Sequence, residues 1–200
     1  MRFLIGIDEA GRAPLAGPVA VGAARVKSGF DWSKVGGVRD SKKMTPLARR
    51  RFYSEMLKLQ RQGSLQFTVA FASHSLIDEV GITKAVHSAI AIALKRLKAD
   101  PMESNIFLDG LLHAPEEYEY QQTIIGGDDV LPIISLAAIA AKVTRDRLMA
   151  RLAPKYPEYG FEIHKGYPTH AHRSVIAARG LTNIHRVSYC RKLIIAAESV

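Results

Sequence analysis

Four acidic side chains occupy positions from which they could act together. Asp8 and Glu9 directly follow an apolar run, residues 3–7, that predicts a buried strand. Asp109 and Asp128 stand at or just past the ends of two further predicted strands. Because sites in α/β sheets collect where strands end, central strands of one sheet would bring these four carboxylates to a single edge.

Several carboxylates in one place repel one another, so a cation is needed to offset their charge. The candidate ligands are all oxygens, and Cys190 is the only cysteine of the chain. Oxygen ligands favour a hard divalent ion, Mg²⁺ or Mn²⁺. Two such ions about 3.5–4 Å apart are a common device for cleaving a phosphodiester, in which one activates a water and the other stabilises the leaving oxygen. The acids therefore indicate metal-dependent phosphodiester chemistry.

Each acid also has a simpler interpretation. Asp109-Gly110 is typical of an ordinary turn, and Asp128 lies in a Gly-Asp-Asp run that could cap the next helix. The neighbouring Asp129 is expected to be solvated. Asp8-Glu9 is harder to explain as a turn, because no turn residue separates the pair from the strand. Spacing alone leaves open whether the four acids converge.

Hydrophobic periodicity predicts a mixed β-sheet flanked by helices. The first two predicted strands, residues 3–7 and 17–26, are joined by a short link and are expected to pair antiparallel. Thr45 and Pro46 predict the N-cap and the first residue of a helix. The other predicted strands are 65–72, 105–108 and 122–125, and the other predicted helices are 82–98, 133–152, 170–179 and 188–198. This order of elements is typical of an α/β fold.

The chain of 200 residues is basic, with 28 Lys and Arg against 19 Asp and Glu, a net charge of +9. We expect residues 1–200 to form a single domain that includes a basic, helical C-terminal segment from about residue 156. The charge favours a polyanionic partner, although a basic protein without such a partner has the same balance. A single cysteine fits a reducing compartment, and no apolar run is long enough for a membrane span, so we expect a cytoplasmic protein.

Six segments of the sequence match one family in the order in which they occur there. Residues 8–18 read DEAGRAPLAGP, which resembles the opening signature of the ribonuclease HII family, DEAGRGPLAGP, at ten of eleven positions. The other matching segments are residues 40–44 (DSKKM), 109–110 (DG), 127–128 with 141–146 (GD and AKVTRD), 164–169 (HKGYPT) and 185–189 (HRVSY). The matches extend from residue 8 to residue 189, nearly the whole chain.

The resemblance implies a fold and an activity. The fold would be the ribonuclease H-like mixed sheet with flanking helices and a helical C-terminal segment. The protein would be an endonuclease that hydrolyses the RNA strand of RNA–DNA hybrids and incises 5′ of ribonucleotides embedded in DNA, leaving 5′-phosphate and 3′-hydroxyl ends. Its partners would be the hybrid and the DNA duplex with embedded ribonucleotides, and it would need two divalent ions, Mg²⁺ or Mn²⁺.

The resemblance also implies roles for individual residues. The four catalytic and metal-binding carboxylates would be Asp8, Glu9, Asp109 and Asp128. Asp8 would bridge the two ions, with Glu9 and Asp109 serving mainly one of them and Asp128 the other.

Other matching residues would bind the substrate. The loop of Gly11, Arg12 and Ala13 would contact a ribose 2′-hydroxyl through its backbone, which is how a protein can distinguish RNA from DNA. Tyr167 would stack on a sugar near the cleavage point, or else serve only in packing.

Four basic residues are further candidates for substrate binding. Lys42 and Lys43 are expected to reach phosphates, with a solvated basic loop as the alternative. Lys142 and Arg145, one helical turn apart, are expected to line the same groove. Arg49, Arg50 and Arg51 are interpreted as an exposed helix face, with contact to the nucleic-acid backbone as the weaker alternative.

The sequence departs from the family signature at Ala13, where the family has its second glycine. Glycine permits torsions and close approach that a Cβ obstructs, so we expect altered junction recognition with intact chemistry. Ala138 replaces a serine in the helix that follows, which we expect to have a minor effect.

Two other functions have to be weighed against this one. A hybrid-binding protein without activity would share the fold and charge but would not need the four acids. A ribonuclease HIII or a resolvase-like nuclease would lack the 8–12 signature. We expect a monomer, and residues 194–200 show no evident motif for docking a sliding clamp.

Overall fold

A computed structural model describes residues 2–36 and 44–198, with side chains up to residue 193. Lys42 and Lys43, which the sequence suggests as phosphate contacts, lie outside the described residues. The strands are β1 (Phe3–Ala10), β2 (Val19–Lys27), β3 (Gln66–Ala72), β4 (Ser104–Asp109) and β5 (Gln121–Ile124). The helices are α1 (Pro46–Arg61), α2 (His74–Val80), α3 (Ile82–Arg96), α4 (Gly127–Val130), α5 (Pro132–Leu152), α6 (Phe161–His164), α7 (His170–Arg179) and α8 (Val187–Glu198).

The described strands form one mixed sheet in the order β3-β2-β1-β4-β5. The β1–β2 and β2–β3 pairs are antiparallel, whereas β1–β4 and β4–β5 are parallel. The predicted antiparallel first pair and the predicted mixed sheet are therefore confirmed. Strand β1 is central, and its parallel neighbour β4 pairs Leu108 with Ile7, so Asp8 and Asp109 come next to each other at the same end of the sheet.

Helix α5 lies against one face of the sheet at very short range. A Cβ on Gly6 would stand 2.2 Å from the carbonyl oxygen of Ile133, and one on Gly22 would stand 2.1 Å from that of Ala137. Only glycine lets the helix and strand backbones come this close. The first half of α5 is buried, as its Ala-rich sequence predicts.

Helix α3 covers the opposite face. Ile5 and Ile7 of β1 pack there with Val86 and Ile90 of α3, whereas Gly6 faces α5. Successive residues of a strand point to opposite faces, so Asp8 belongs to the α5 face and Glu9 to the α3 face. The central strand thus supplies one acid to each layer.

The C-terminal segment packs onto the end of α5 and onto the loop between β1 and β2. Its core includes Phe161, Ile176 and Cys190, together with Leu15 of that loop. Backbone hydrogen bonds tie the two parts together, from Leu15 N to the carbonyl oxygen of Gly166 at 2.8 Å and from Gly17 N to that of Ile184 at 2.8 Å. The β1–β2 loop is therefore held between the sheet and the C-terminal helices.

Strand β1 and three short helices, α2, α4 and α6, differ from the sequence prediction. Strand β1 does not end before Asp8 but continues to Ala10, because Glu9 and Ala10 pair with Val21 and Ala20 of β2. Helix α2 was not predicted, since its seven residues are too few for a clear period; Ser73 caps it by accepting a hydrogen bond from Leu76 N. Within the ranges that the structure covers, no helix has the length and apolar character to cross a membrane.

Candidate active site

Strands β1 and β4 and the short helix α4 position the four acids. The pairing of β1 with β4 sets Asp8 beside Asp109. After β5 the chain turns at Gly126, which has a φ of +66°, and enters α4, where Asp128 is fully buried. Gly127 N donates a 2.7 Å hydrogen bond to Oδ1 of Asp109 and so fixes α4 against the end of β4.

The first turn of α5 also supports α4. The hydroxyl of Ser135 donates hydrogen bonds to the carbonyl oxygens of Asp128 and Leu131. Asp128 is thereby held in a buried turn, and the N-cap position of α5 is Leu131, so Asp128 does not cap that helix as its simpler interpretation suggests.

Asp8 is the electrostatic centre of the group. It is 5% exposed, and Glu9 N donates a 2.7 Å hydrogen bond to its Oδ1. Burial and the nearby charges of Glu9 and Asp109 raise the pKa of Asp8 well above its usual value, Asp128 adds to this, and the hydrogen bond offsets only part of it. The structure therefore brings the other three acids within electrostatic range of Asp8.

Glu9 lies between two adjoining cavities. Burial raises its pKa, and Asp109 adds to that effect, while Arg12, 3.5 Å from the carboxylate, opposes it. One cavity, of about 250 Å³, is lined by Asp8, Glu9 and Asp128. The other, of about 380 Å³, is lined by Glu9, Arg12 and Asp109.

The four carboxylates suit a hard divalent ion in charge and in donor type. A cation would relieve the repulsion that raises the pKa of Asp8, and every candidate ligand is an oxygen. The side chains surround two cavities rather than one point, and over the residues described here no three acidic, imidazole or thiol groups already converge on a single position. One oxygen of Asp109 is held by Gly127 N, and Glu9 is turned towards Arg12.

The loop that follows β1 borders the acids. Gly11 is buried with a φ of +97°, and a Cβ there would stand 2.0 Å from Nε of Arg145. Glycine is thus required at position 11, both because Arg145 lies directly beneath it and because its φ is positive. Ala13 is exposed and does not have a positive φ, so the torsional part of the expected penalty for alanine is absent.

Tyr167 joins the acids to a second, larger cleft. Its ring lies 5.1 Å from Nζ of Lys142, and it lines both the cavity of Asp8 and a cleft of about 630 Å³. That cleft is rich in cations, which are Arg49, Arg50, Lys142, Arg147 and Lys165. Among the described residues that line it, Asp146 is the one acid, and it pairs with Lys142 at 2.9 Å. The result is a positively charged path that leads to the buried carboxylates.

A family model described as "Ribonuclease HII" matches residues 5–192 of the chain. A ribonuclease HII of Caldicellulosiruptor bescii is 39% identical over 194 residues, which cover 96% of this chain and 89% of that protein. A ribonuclease HII of Geobacter sulfurreducens is 43% identical over 188 residues, which cover 94% and 82%.

The chain belongs to the ribonuclease HII family. Membership makes it a metal-dependent endoribonuclease that acts on the RNA of RNA–DNA hybrids. The crystal structure of ribonuclease H2 from Pyrococcus horikoshii OT3 has the same fold, with a TM-score of 0.75 at 24% identity over 99% of this chain and 100% of that one. The expected ribonuclease H-like architecture is confirmed.

The prediction that Arg145 contacts the substrate is wrong for this member of the ribonuclease HII family. Arg145 does not line the groove beside Lys142, because it is completely buried. The two residues are three positions apart, roughly 60° around the helix, and this turns Arg145 towards the β1–β2 loop. Its guanidinium donates to the carbonyl oxygens of Ala16, Pro18 and Lys165 at 2.9–3.2 Å.

Other cleft residues of this ribonuclease HII family member escaped sequence analysis. Contact with the nucleic-acid backbone was only the weaker interpretation of Arg49 and Arg50, yet both line the positive cleft. Arg147 was not singled out, and Lys165 was noted only within the matching segment 164–169. No sequence pattern places these residues in one cleft, because the cleft exists only where α1, α5 and the loop after α6 meet.

Proposed function

We propose that this chain cuts the RNA strand of RNA–DNA hybrids and also incises 5′ of single ribonucleotides embedded in DNA, leaving 5′-phosphate and 3′-hydroxyl ends. The observation that carries the proposal is the position of Asp8. It is a buried acid repelled by three others, next to the β1–β2 loop and Tyr167, at the end of a positively charged cleft.

Asp8, Glu9, Asp109 and Asp128 are proposed to hold two divalent ions, Mg²⁺ or Mn²⁺. When bound, such ions supply an activated water and stabilise the leaving 3′-oxygen. Two adjoining cavities that share Glu9 support a pair of neighbouring positions. Asp8 interacts electrostatically with all three other acids, which supports its predicted position between the two ions.

The positive cleft is proposed to hold the phosphates of the duplex. Arg50, Arg147 and Lys165 line it, and Lys142 carries the charge on to the cavity of Asp8. Lysine and arginine side chains bind phosphates irrespective of base sequence and fix the register of the duplex. The scissile phosphate would then lie over the carboxylates.

Recognition of the ribose is assigned to two neighbouring features. Arg12 and Ala13 are exposed at the rim of the site, where their backbone is accessible to a sugar. The half-buried ring of Tyr167 lines the same cavity as Asp8, which supports stacking on a sugar close to the cut. Contact with a 2′-hydroxyl distinguishes RNA from DNA.

The C-terminal segment is proposed to be part of one catalytic domain, residues 1–200. The bonds from Leu15 N to Gly166 and from Gly17 N to Ile184 support this, because they join the segment to the loop beside the acids. Tyr167 itself belongs to the segment, so the proposed sugar contact depends on the packing of the segment against the β1–β2 loop.

A cleavage assay tests the proposal. End-labelled duplexes carrying one ribonucleotide, a continuous RNA strand or DNA alone are incubated with Mg²⁺, with Mn²⁺ or with chelator. We expect metal-dependent incision 5′ of the single ribonucleotide, multiple cuts in the hybrid and none in the DNA. If the protein cut the continuous hybrid but not the duplex with one ribonucleotide, the proposed incision at embedded ribonucleotides would be refuted. Binding of the substrates without any cutting would favour a hybrid-binding protein.

A further inference from the structure

Two arginines are buried beneath the β1–β2 loop. Arg145 and Arg186 are both 0% exposed, and neither forms an ion pair with any residue that the structure describes. A buried charge is costly unless hydrogen bonds compensate it. Here the compensation comes from backbone carbonyl oxygens, so the two side chains and the loop stabilise each other.

Arg186 holds the part of the loop nearest the acids. Its Nη2 donates to the carbonyl oxygen of Gly11 at 2.6 Å, its Nη1 to that of Arg12 at 2.7 Å and its Nε to that of Gly17 at 2.9 Å. Arg186 N also donates to the carbonyl oxygen of Leu15 at 2.7 Å. The guanidinium thus draws both ends of the loop inwards.

The direction of these carbonyls fixes the direction of the amides that follow. In a trans peptide the C=O and the next N–H point to opposite sides, and the described residues contain no cis peptide. The carbonyls of Gly11 and Arg12 point inwards to Arg186, so the N–H groups of Arg12 and Ala13 point outwards. Within residues 2–36 and 44–198, neither N–H donates to a protein acceptor.

Those two N–H groups lie at the rim of the carboxylate site. Gly11 lines the cavity of Asp8, and Arg12 lines the adjoining cavity beside Glu9. The guanidinium below polarises the same peptides, which strengthens their N–H groups as donors. The loop therefore presents two oriented donors to whatever oxygen of the substrate comes to rest there.

We propose that Arg186 is the positioning residue for ribonucleotide recognition, because it turns the N–H groups of Arg12 and Ala13 towards the ribose 2′-hydroxyl and the adjacent phosphate. The inference rests on the proposed function and deepens it. Arg145 has a different task, since it holds Ala16, Pro18 and Lys165.

Affinity measured without catalysis tests this role. The substrates are a DNA duplex with one ribonucleotide and the same duplex in DNA alone, with Ca²⁺ in place of an activating metal. Arg186→Lys keeps the charge but cannot span three carbonyls. We expect the preference of the wild type for the ribonucleotide to fall roughly tenfold, which corresponds to one or two hydrogen bonds. Affinity for the DNA duplex, which the cleft sets, is expected to be unchanged.

Ile176→Ala is the matched control, because Ile176 is buried in the same C-terminal core but its apolar side chain forms no hydrogen bond with the loop carbonyls. It is expected to lower the melting temperature while keeping the preference for the ribonucleotide. Arg186→Lys with an unchanged preference would overturn the inference. A wild type that shows no preference and no incision would instead refute the proposed function.

Amide signals of the wild type provide a test that does not depend on the folding of a variant. We expect the N–H resonances of Arg12 and Ala13 to shift when the ribonucleotide duplex is added and to move much less with the DNA duplex. Equal shifts with both duplexes would contradict the role of Arg186 in recognition.

Discussion

His172 and His185 face each other through their Nε2 atoms, 3.1 Å apart, in the buried C-terminal core. Thr182 N donates to Nδ1 of His185 at 2.9 Å, so the proton of that ring lies on Nε2 and is donated to His172. Nδ1 of His172 then donates to the carbonyl oxygen of Tyr167 at 2.9 Å. A chain of neutral imidazoles with fixed tautomers therefore supports the residue proposed to stack on the sugar.

This pair makes the fold sensitive to acid. Burial lowers the pKa of both imidazoles to about 4, below the ordinary value of 6.5, so the unfolded chain binds protons first as the pH falls. The stabilisation is complete above about pH 6.5 and is lost towards pH 4. We expect a loss on the order of 2–3 kcal/mol per histidine in the free energy of unfolding, measured by urea denaturation.

The exposed His113 provides the control, since His113→Asn is expected to keep this pH dependence. A double variant, His172→Gln with His185→Gln, is expected to be less stable at neutral pH and to lose most of the slope between pH 6.5 and 4. A double variant that keeps the wild-type slope would show that other groups cause it.

Gly6 is predicted to be essential for the packing of α5. In Gly6→Ala the added Cβ would meet backbone atoms of Ile133 and Ile134 at 2.2–2.7 Å, and backbone cannot move aside cheaply. We expect a loss of roughly 1–3 kcal/mol or more in the free energy of unfolding. Gly36→Ala is the comparison, because its φ is −52° and its nearest contact would be 3.3 Å. Equal losses in both variants would refute the argument.

Much of this architecture can be predicted from local sequence. Thr45 and Pro46 mark the start of α1, and the apolar stripe of α3 and the alanines of α5 mark buried helices. The neighbourhood of Asp8 and Asp109 follows once β1 and β4 are recognised as adjacent parallel strands. These features depend on short-range patterns or on general rules of sheet topology.

The residues that sequence analysis missed depend on long-range contacts. Arg145 is an ordinary basic position on a helix until the loop 16–18 and Lys165 are folded against it. Arg186 likewise has no signal of burial, because its partners lie about 170 residues away. Charge alone does not distinguish a buried clamp from a phosphate contact.

The positive cleft is expected to act through charge. Arg50→Gln removes a cation from it and should weaken the binding of every hybrid, irrespective of sequence, because phosphate contacts are electrostatic. If Arg50 neutralises one phosphate, the slope of log affinity against log salt should fall by about 0.9. Arg51→Gln, a change to the next residue in a separate cavity, should leave the slope unchanged. Identical slopes for the two variants would argue against this binding path.

Ala13→Gly is expected to increase the cleavage of a single embedded ribonucleotide relative to a continuous hybrid. The torsions of Ala13 are unstrained, so the effect would come only from closer approach of the substrate to the exposed backbone. Rates and cut positions on both substrates measure this effect. If neither changes, the alanine is a harmless departure from the family signature.

The most direct test of the carboxylate site is the incision of an RNA–DNA hybrid by Asp8→Asn, with binding of the same hybrid measured alongside it. Asparagine keeps the shape of the side chain and removes the charge at the centre of the group, while the cations of the cleft remain in place. We predict that hybrid binding is retained and that cutting is abolished with either Mg²⁺ or Mn²⁺. Cutting at the wild-type rate would contradict the assignment of Asp8 and, with it, the proposed metal site.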